Sequence, residues 1–233
     1  MKIFAISDLH LSINTNKPMN IFGPVWEHHF EIISKDWNEK VGDDDAVLIA
    51  GDISWGMKLE EAIEDIKEIA KLNGKKILTR GNHDYWWKSI SSIRSLLPQN
   101  MYALQNDAIK LGDYIICGTR GWTVPEKEGE QSAEDKKIFD REIIRLELSL
   151  KAGEKLRLNG EKLICMIHYP PFNSKTEDSA FTSLFEKYNV DKVIYGHLHG
   201  KGGRTIIHTN KNGIDYYLTS CDKVGNKLVT IYE

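Results

Sequence analysis

Five short segments of the chain carry residues suited to metal chemistry. They are Asp8-Leu9-His10, Gly51-Asp52, Gly81-Asn82-His83-Asp84, His168 and Gly196-His197-Leu198-His199, and they hold five of the eight histidines. Aspartate and histidine ligate borderline and hard divalent cations, and no cysteine stands among them. A carboxylate such as Asp52 can bridge two cations. An extended backbone of period two predicts that the outer residues of Asp8-Leu9-His10 and His197-Leu198-His199 share a side, with each central leucine turned into the core. Gly51, Gly81 and Gly196 permit a tight turn just before the polar residues. Singly, each residue has a blander reading. Asp8 reads as a helix cap, Asp52 and Asn82 as turn formers, and His10 and His168 as loop or half-buried histidines. Their joint occurrence at the same kind of junction points to a site.

The elements that must position these segments are short apolar runs. Strands are predicted at residues 2–7, 46–50, 75–79, 114–117, 163–167, 192–195, 205–209 and 228–232, most of them followed by Gly, Asp, Asn or His. Their continuous hydrophobicity predicts strands covered on both faces. Trp26, Phe30, Ile33 and Trp37 form one helical stripe, and Leu59, Ala62, Ile63, Ile66, Ile69 and Ala70 a clearer one. A third helix is expected over 132–151, after a charged loop at 124–137 that is a candidate lid. Asn212-Gly213 signals a hairpin turn. The order fits an α/β sandwich of two packed sheets with helices outside, as one domain over residues 1–233. Strand ends gather sites in such sheets, which is where the five segments stand.

Bulk properties narrow the function. Charged residues are 28% of the 233, hydrophobic residues 41%, and the net charge of −3 advertises no general nucleic-acid field. No run reaches the roughly 18 apolar residues of a membrane span. The N-terminal apolar stretch ends at Asp8, too soon for a signal-peptide core. Cys117 and Cys165 lie in apolar runs and are expected to be buried thiols rather than half of a disulfide framework. A cytoplasmic protein is the expectation, and the oligomeric state is left open.

The ordered set Asp-x-His, Gly-Asp, Gly-Asn-His-Asp, His, Gly-His-x-His resembles the calcineurin-like metallophosphoesterase superfamily, over residues 8 to 199. The resemblance implies a four-layer α/β/β/α sandwich of two mixed sheets flanked by helices, with two divalent metals at its top. It implies that one metal takes Asp8, His10 and His199, that the other takes Asn82, His168 and His197, and that Asp52 bridges them. His83 would stand by the leaving group as general acid, oriented by Asp84. Two divalent ions against the charges of Asp8 and Asp52 leave about two positive charges for a phosphate. Four histidines among the ligands favour Mn, Fe or Zn over Mg or Ca. A bridging hydroxide then attacks in line, and the leaving oxygen takes a proton.

Members that act on phosphoserine or phosphothreonine proteins continue the Gly-Asp segment with Asp-Arg-Gly. Here Gly51-Asp52-Ile53-Ser54 runs on to Trp55-Gly56-Met57, which argues for a small phosphorylated substrate. Arg120 and Trp122, just past a strand, are candidates to grip the phosphate and cover the rest of that substrate. Arg80 and Arg204 are weaker candidates that read as surface salt bridges. Tyr85, Trp86 and Trp87 offer stacking surfaces, with core packing the reading for at least one of the two tryptophans. Tyr169-Pro170-Pro171-Phe172 resembles the family's His-x-Pro-Pro segment and is expected to fix the loop of His168. The expected activity is hydrolysis of a small phosphomonoester or phosphodiester. A nuclease or nucleotide phosphodiesterase is the nearest alternative, although no basic strip guides a polymer. A binding scaffold, as in the retromer's metallophosphoesterase-like subunit, is the alternative of another class, and it would be expected to have lost ligands.

Overall fold

A computed structural model describes residues 1–15, 17–127, 129–200 and 206–233. Arg204 and the start of the strand predicted at 205 lie outside the described residues. Two mixed sheets face each other. The first is built from Ile3–Ile6 (β1), Ala46–Ala50 (β2), Lys75–Thr79 (β3), Met101–Ala103 (β4) and Val229–Tyr232 (β11), in the order β11-β1-β2-β3-β4. The second is built from Ala108–Leu111 (β5), Tyr114–Thr119 (β6), Lys162–Ile167 (β7), Lys192–Tyr195 (β8), His208–Lys211 (β9) and Ile214–Leu218 (β10), in the order β5-β6-β7-β8-β10-β9. Strands β1 to β4 are mutually parallel, as are β6, β7, β8 and β10, and the antiparallel strands β11, β5 and β9 lie at sheet edges.

Strand alternation explains the layers. Ala46, Leu48 and Ala50 of β2 point between the sheets, with Ile3, Ala5, Ile164, Met166 and Ile194. Val47 and Ile49 point outward, under helices α1 (His29–Lys40) and α2 (Leu59–Ala70). Leu163, Cys165 and Ile167 of β7 likewise point outward, under α4 (Ala133–Leu156) and α5 (Ala180–Lys187). Strands β2 and β7 are therefore apolar on both faces, which is why their sequences do not alternate. Ile33 and Trp37 of α1 are fully buried in the outer layer. Burying one such side chain stabilises by roughly 1.5–3 kcal/mol.

Several expectations need correction. Helix α1 starts at His29, because Pro24–Trp26 makes a tight 3-10 turn that seats Trp26 separately. Helix α4 starts at Ala133, where Ser132 Oγ caps Asp135 N at 3.0 Å, so the end of the expected 124–137 loop is helical. The strand predicted at 205–209 overlaps only the start of β9, at His208 and Thr209, and β9 joins β10 through Asn212-Gly213. Both turn residues have positive φ (53° and 80°), as a type I′ turn requires. The three cysteines are buried and unbridged. No described helix is long and apolar enough to cross a membrane.

Candidate metal centre

The two sheets meet at their carboxyl ends. Ser7 N–H, just past β1, donates to Thr219 O past β10 (2.9 Å), and Gly196 N–H past β8 donates to His168 O past β7 (3.0 Å). The first bond joins the sheets and the second ties neighbours within one; with Asp8 N–H donating to Gly51 O (2.9 Å), Asp8, Asp52, Asn82, His168, His197 and His199 gather from five strand ends.

Backbone strain shapes the junctions. Asp8, His10, Asp52 and His197 all have positive φ (59°, 46°, 52° and 73°). Left-handed backbone at such residues costs roughly 1–3 kcal/mol each. The extended backbone expected for the two x-Leu-x segments is therefore absent, and the leucines part company. Leu9 is buried under α1, whereas Leu198 is 41% exposed. Three glycines are steric requirements, Gly81 most sharply, since its Cβ would meet Asp52 Oδ1 at 2.1 Å. A Cβ on Gly51 (φ 89°) would sit 2.7 Å from both Gly81 N and His168 Nδ1, and one on Gly196 would collide with the Asp8 carboxylate.

The donor atoms converge. One each from Asp8, His10 and His199 lie within 4.8 Å of one another, and so do those of Asp8, Asp52 and His168. Asn82 Oδ1 meets His168 Nε2 at 2.7 Å and His197 Nδ1 at 2.9 Å. Asp52 Oδ1 accepts from His83 N–H at 2.8 Å. Its Oδ2 is buried without a hydrogen-bond partner, 3.5 Å from His168 Nε2 and 3.7 Å from His10 Nε2. A buried carboxylate oxygen without a hydrogen-bond donor is costly unless something else satisfies it, and a bound cation would do so. The residues present thus fit a metal group.

Asp84 does something other than orient His83. Its carboxylate accepts from the backbone N–H of Asp52, Ile53, Ser54 and Gly81 and from Trp86 Nε1, all between 2.7 and 3.3 Å. His83 Nδ1 is buried without a hydrogen-bond partner, and its ring packs instead against Trp55 (4.7 Å) and Tyr85 (6.2 Å). Asp84 is thus the brace that fixes the Asp52 loop to the Asn82 loop. Burial, followed by the charge of Asp52, pushes its carboxyl up to about 6. Asp84→Ala would leave five donors unpaired, each worth roughly 1–3 kcal/mol when buried. The expected outcome is a loss of several kcal/mol in urea unfolding. A stability within about 1 kcal/mol of wild type would contradict the brace.

The electrostatics divide the histidines. Burial lowers His10 to about 4 against the pull of Asp52, and burial with the charge of His168 lowers His197 to about 4. Burial also opposes the charge on His168 and His199, but carboxylates outweigh it. Asp52 raises His168 to about 9, and Asp222 and Asp8 raise His199 to about 10. The same histidines hold Asp8 well below the usual carboxylate range despite its burial. A histidine raised in this way contributes stability below its unfolded value, lost as pH climbs through the folded value. Chelator-treated protein should therefore lose stability between about pH 6.5 and about 10. Cation loading runs the other way, because ligation needs neutral imidazole. Calorimetric titration with Mn is expected to show tighter binding at about pH 8 than at about pH 6, with proton release. Equal affinity with no proton release would contradict this.

Sequence reasoning missed three contributors. Asp222 Oδ1 takes His199 Nδ1 at 2.8 Å, fixing the ring so that Nε2 faces Asp8 Oδ1 at 3.1 Å. Trp55 stacks on His10 at 4.8 Å, and Tyr169 packs on His197 at 4.2 Å. Trp86 and Trp87 are both buried core, while Tyr85 is 52% exposed. A cavity of about 530 Å³ opens beside His197 and His199, walled by Tyr169, Phe172, Val124 and Glu126. Glu126 accepts from Ser174 N (3.0 Å) and Oγ (2.6 Å), which ties the candidate lid to the opposite wall. Arg120 and Trp122 do not line this cavity. The Arg120 guanidinium lies over the Trp122 ring at 4.8 Å and 3.8 Å from Glu142, in a separate cavity, because Glu142 draws it there.

The family model described as calcineurin-like phosphoesterase matches residues 1–201. Among solved structures, TT1561 of Thermus thermophilus is 15% identical with a TM-score of 0.62, covering 99% of this chain and 97% of that one. The protein of unknown function AQ665 from Aquifex aeolicus is 17% identical with a TM-score of 0.49, covering 98% of this chain and 95% of that one. No curated protein matches the chain by sequence.

Proposed function

Since the chain belongs to the calcineurin-like phosphoesterase family, we propose that it hydrolyses a small phosphomonoester or phosphodiester at a centre of two divalent cations. The observation that carries this reading is the partnerless Asp52 Oδ2, which faces His168 on one side and His10 on the other. Asp8, His10 and His199 would hold one cation, and Asn82, His168 and His197 the other, with Asp52 between them. Mn, Fe or Zn suits this ligand set. When bound, two such cations supply positive charge for the phosphate and make a water acidic enough to attack.

The remaining work falls to the chain's own groups. In hydrolysis water adds to phosphorus, the P–O ester bond breaks, and the leaving oxygen needs a proton. His83 would give it. Its backbone N–H is anchored on Asp52 Oδ1 and its ring is held by Trp55, so the imidazole stands beside the cluster, 5.5 Å from the His10 ring between centroids. Neutral Asn82 in a ligand position keeps the site cationic toward phosphate. Glu126 and the aromatic wall of Tyr169 and Phe172 line a cavity of a volume ordinary for small-molecule sites. The complete ligand set favours catalysis over a binding scaffold. The test is turnover by Mn-loaded protein of phosphomonoesters, cyclic nucleotides, dinucleotides and nucleic acid. Chelation should abolish it and Mn restore it. Faster cleavage of phosphoproteins or long nucleic acids than of any small phosphate would overturn the small-substrate reading.

A further inference from the structure

Cations converge in a second place, where none of these ligands lies. A separate cavity, of about 200 Å³, is lined by Arg80, Lys88, Arg120, Arg141 and Arg145, with Glu142 as its one carboxylate. They come from four parts of the chain: the ends of β3 and β6, the loop before α3 (Ile90–Arg94), and the middle of α4. The whole chain carries a net charge of −3, so this concentration is local.

The pairing is incomplete. Glu142 is fully buried, with Oε1 2.6 Å from Arg145 Nη1 and 3.8 Å from Arg120 Nη2, and Oε2 accepting from Thr119 Oγ1 at 2.9 Å. Among the described residues, Arg80, Lys88 and Arg141 have no ion pair, contrary to the salt bridge expected for Arg80. Arg80 Nε and Arg120 Nε are buried N–H groups with no hydrogen-bond partner. Unpaired buried donors are costly, and a cluster of excess positive charge with low-dielectric walls focuses an anion-attracting field. Guanidinium groups suit phosphate because their planar donors bind it bidentately.

The cavity is close to the metal-ligand cluster. Arg80 is two residues before Asn82, so their Cα atoms are at most about 7.6 Å apart. The carbonyl of Arg120 accepts from His168 N–H at 3.0 Å. We propose that this cavity holds a second phosphate of the substrate, so that the enzyme acts on a small bisphosphorylated molecule. One phosphate is hydrolysed at the metal-ligand cluster; the other is held by Arg80, Lys88, Arg120 and Arg141. Only the fate of the first phosphate rests on the phosphoesterase reading.

Two measurements on Mn-saturated protein separate the two ideas. The first compares kcat/KM for an alkanediol bisphosphate and its monophosphate, over spacers from ethylene to hexamethylene. The best bisphosphate is expected to exceed its monophosphate roughly 10- to 100-fold, the effect of one or two charge-assisted contacts. In the Lys88→Gln Arg141→Gln variant this ratio should fall toward one. Both side chains are exposed, and Lys88→Gln alone serves if the pair fails to fold. The second is calorimetric binding of the corresponding alkane bisphosphonate and alkylphosphonate, which are not hydrolysed. The bisphosphonate should bind wild type at least about tenfold tighter, and the variant should lose that margin. A margin in binding without ester turnover would sink the phosphoesterase reading and leave the second-phosphate site standing. A wild-type ratio near one in both measurements, or a margin unchanged in the variants, overturns the second-phosphate site.

Discussion

Asp52→Asn is expected to abolish nearly all phosphoester turnover, by roughly 10³-fold or more, because several kcal/mol of charge stabilisation depend on the cations that it would join. The substitution is informative because it is nearly isosteric. Asparagine retains a carbonyl oxygen, so the 2.8 Å hydrogen bond from His83 N–H to Oδ1 can persist. The amide then replaces Oδ2, the oxygen that is buried, partnerless and set between His168 and His10. Only the charge and one ligand atom go. Metal analysis should show at least one cation lost, while far-ultraviolet dichroism stays at wild type. A variant that keeps its metals and most of its turnover would remove Asp52 from the centre.

His83→Ala is expected to cost roughly 10²–10⁴-fold on an alkyl phosphate, the usual range for general acid catalysis, with metal content unchanged. On an activated aryl phosphate, whose leaving group needs no proton, the loss should be far smaller. The structure sharpens this contrast. His83 touches Asp52 through its backbone N–H, which alanine also has. Its imidazole packs on Trp55 and Tyr85, and the Asp84 carboxylate remains bound to its own donors. The side chain can therefore go without releasing the metal-site loops. Equal losses on activated and unactivated substrates would assign His83 a role in phosphate binding rather than proton donation.

Much of the cluster was legible because each polar residue sits directly after its own strand. Within three residues of their ends, Ile3–Ile6 leads to Asp8, Ala46–Ala50 to Asp52, Lys75–Thr79 to Asn82 and Lys162–Ile167 to His168. Strand and site residue are adjacent in sequence, so local patterning reports both. Continuous apolar runs also reported strands buried on two faces. What was not legible depends on long-range packing. Asp222 reaches His199 only because β10 ends beside β8, and nothing marks it among other loop aspartates. Asp8-Leu9-His10 and His197-Leu198-His199 look alike, yet only Leu9 lies under a helix, since positive φ replaces the extended backbone assumed for both. Asp84 beside His83 suggested a pair, but five nearby donors claim its carboxylate. The weak strands β4 and β5 escaped notice because they are short or half-exposed at sheet edges. Arg80, Lys88, Arg120, Arg141 and Arg145 are scattered over four segments, so their convergence is a property of the fold alone.

The most direct measurement is the number of divalent cations bound per chain, read by mass spectrometry of the intact protein under saturating Mn and paired with aryl phosphate turnover at each loading. The expected result is two cations per chain, with turnover rising as the second enters, and at most one in Asp52→Asn. Full turnover with one cation per chain, or two cations undiminished in Asp52→Asn, would contradict a centre bridged by Asp52.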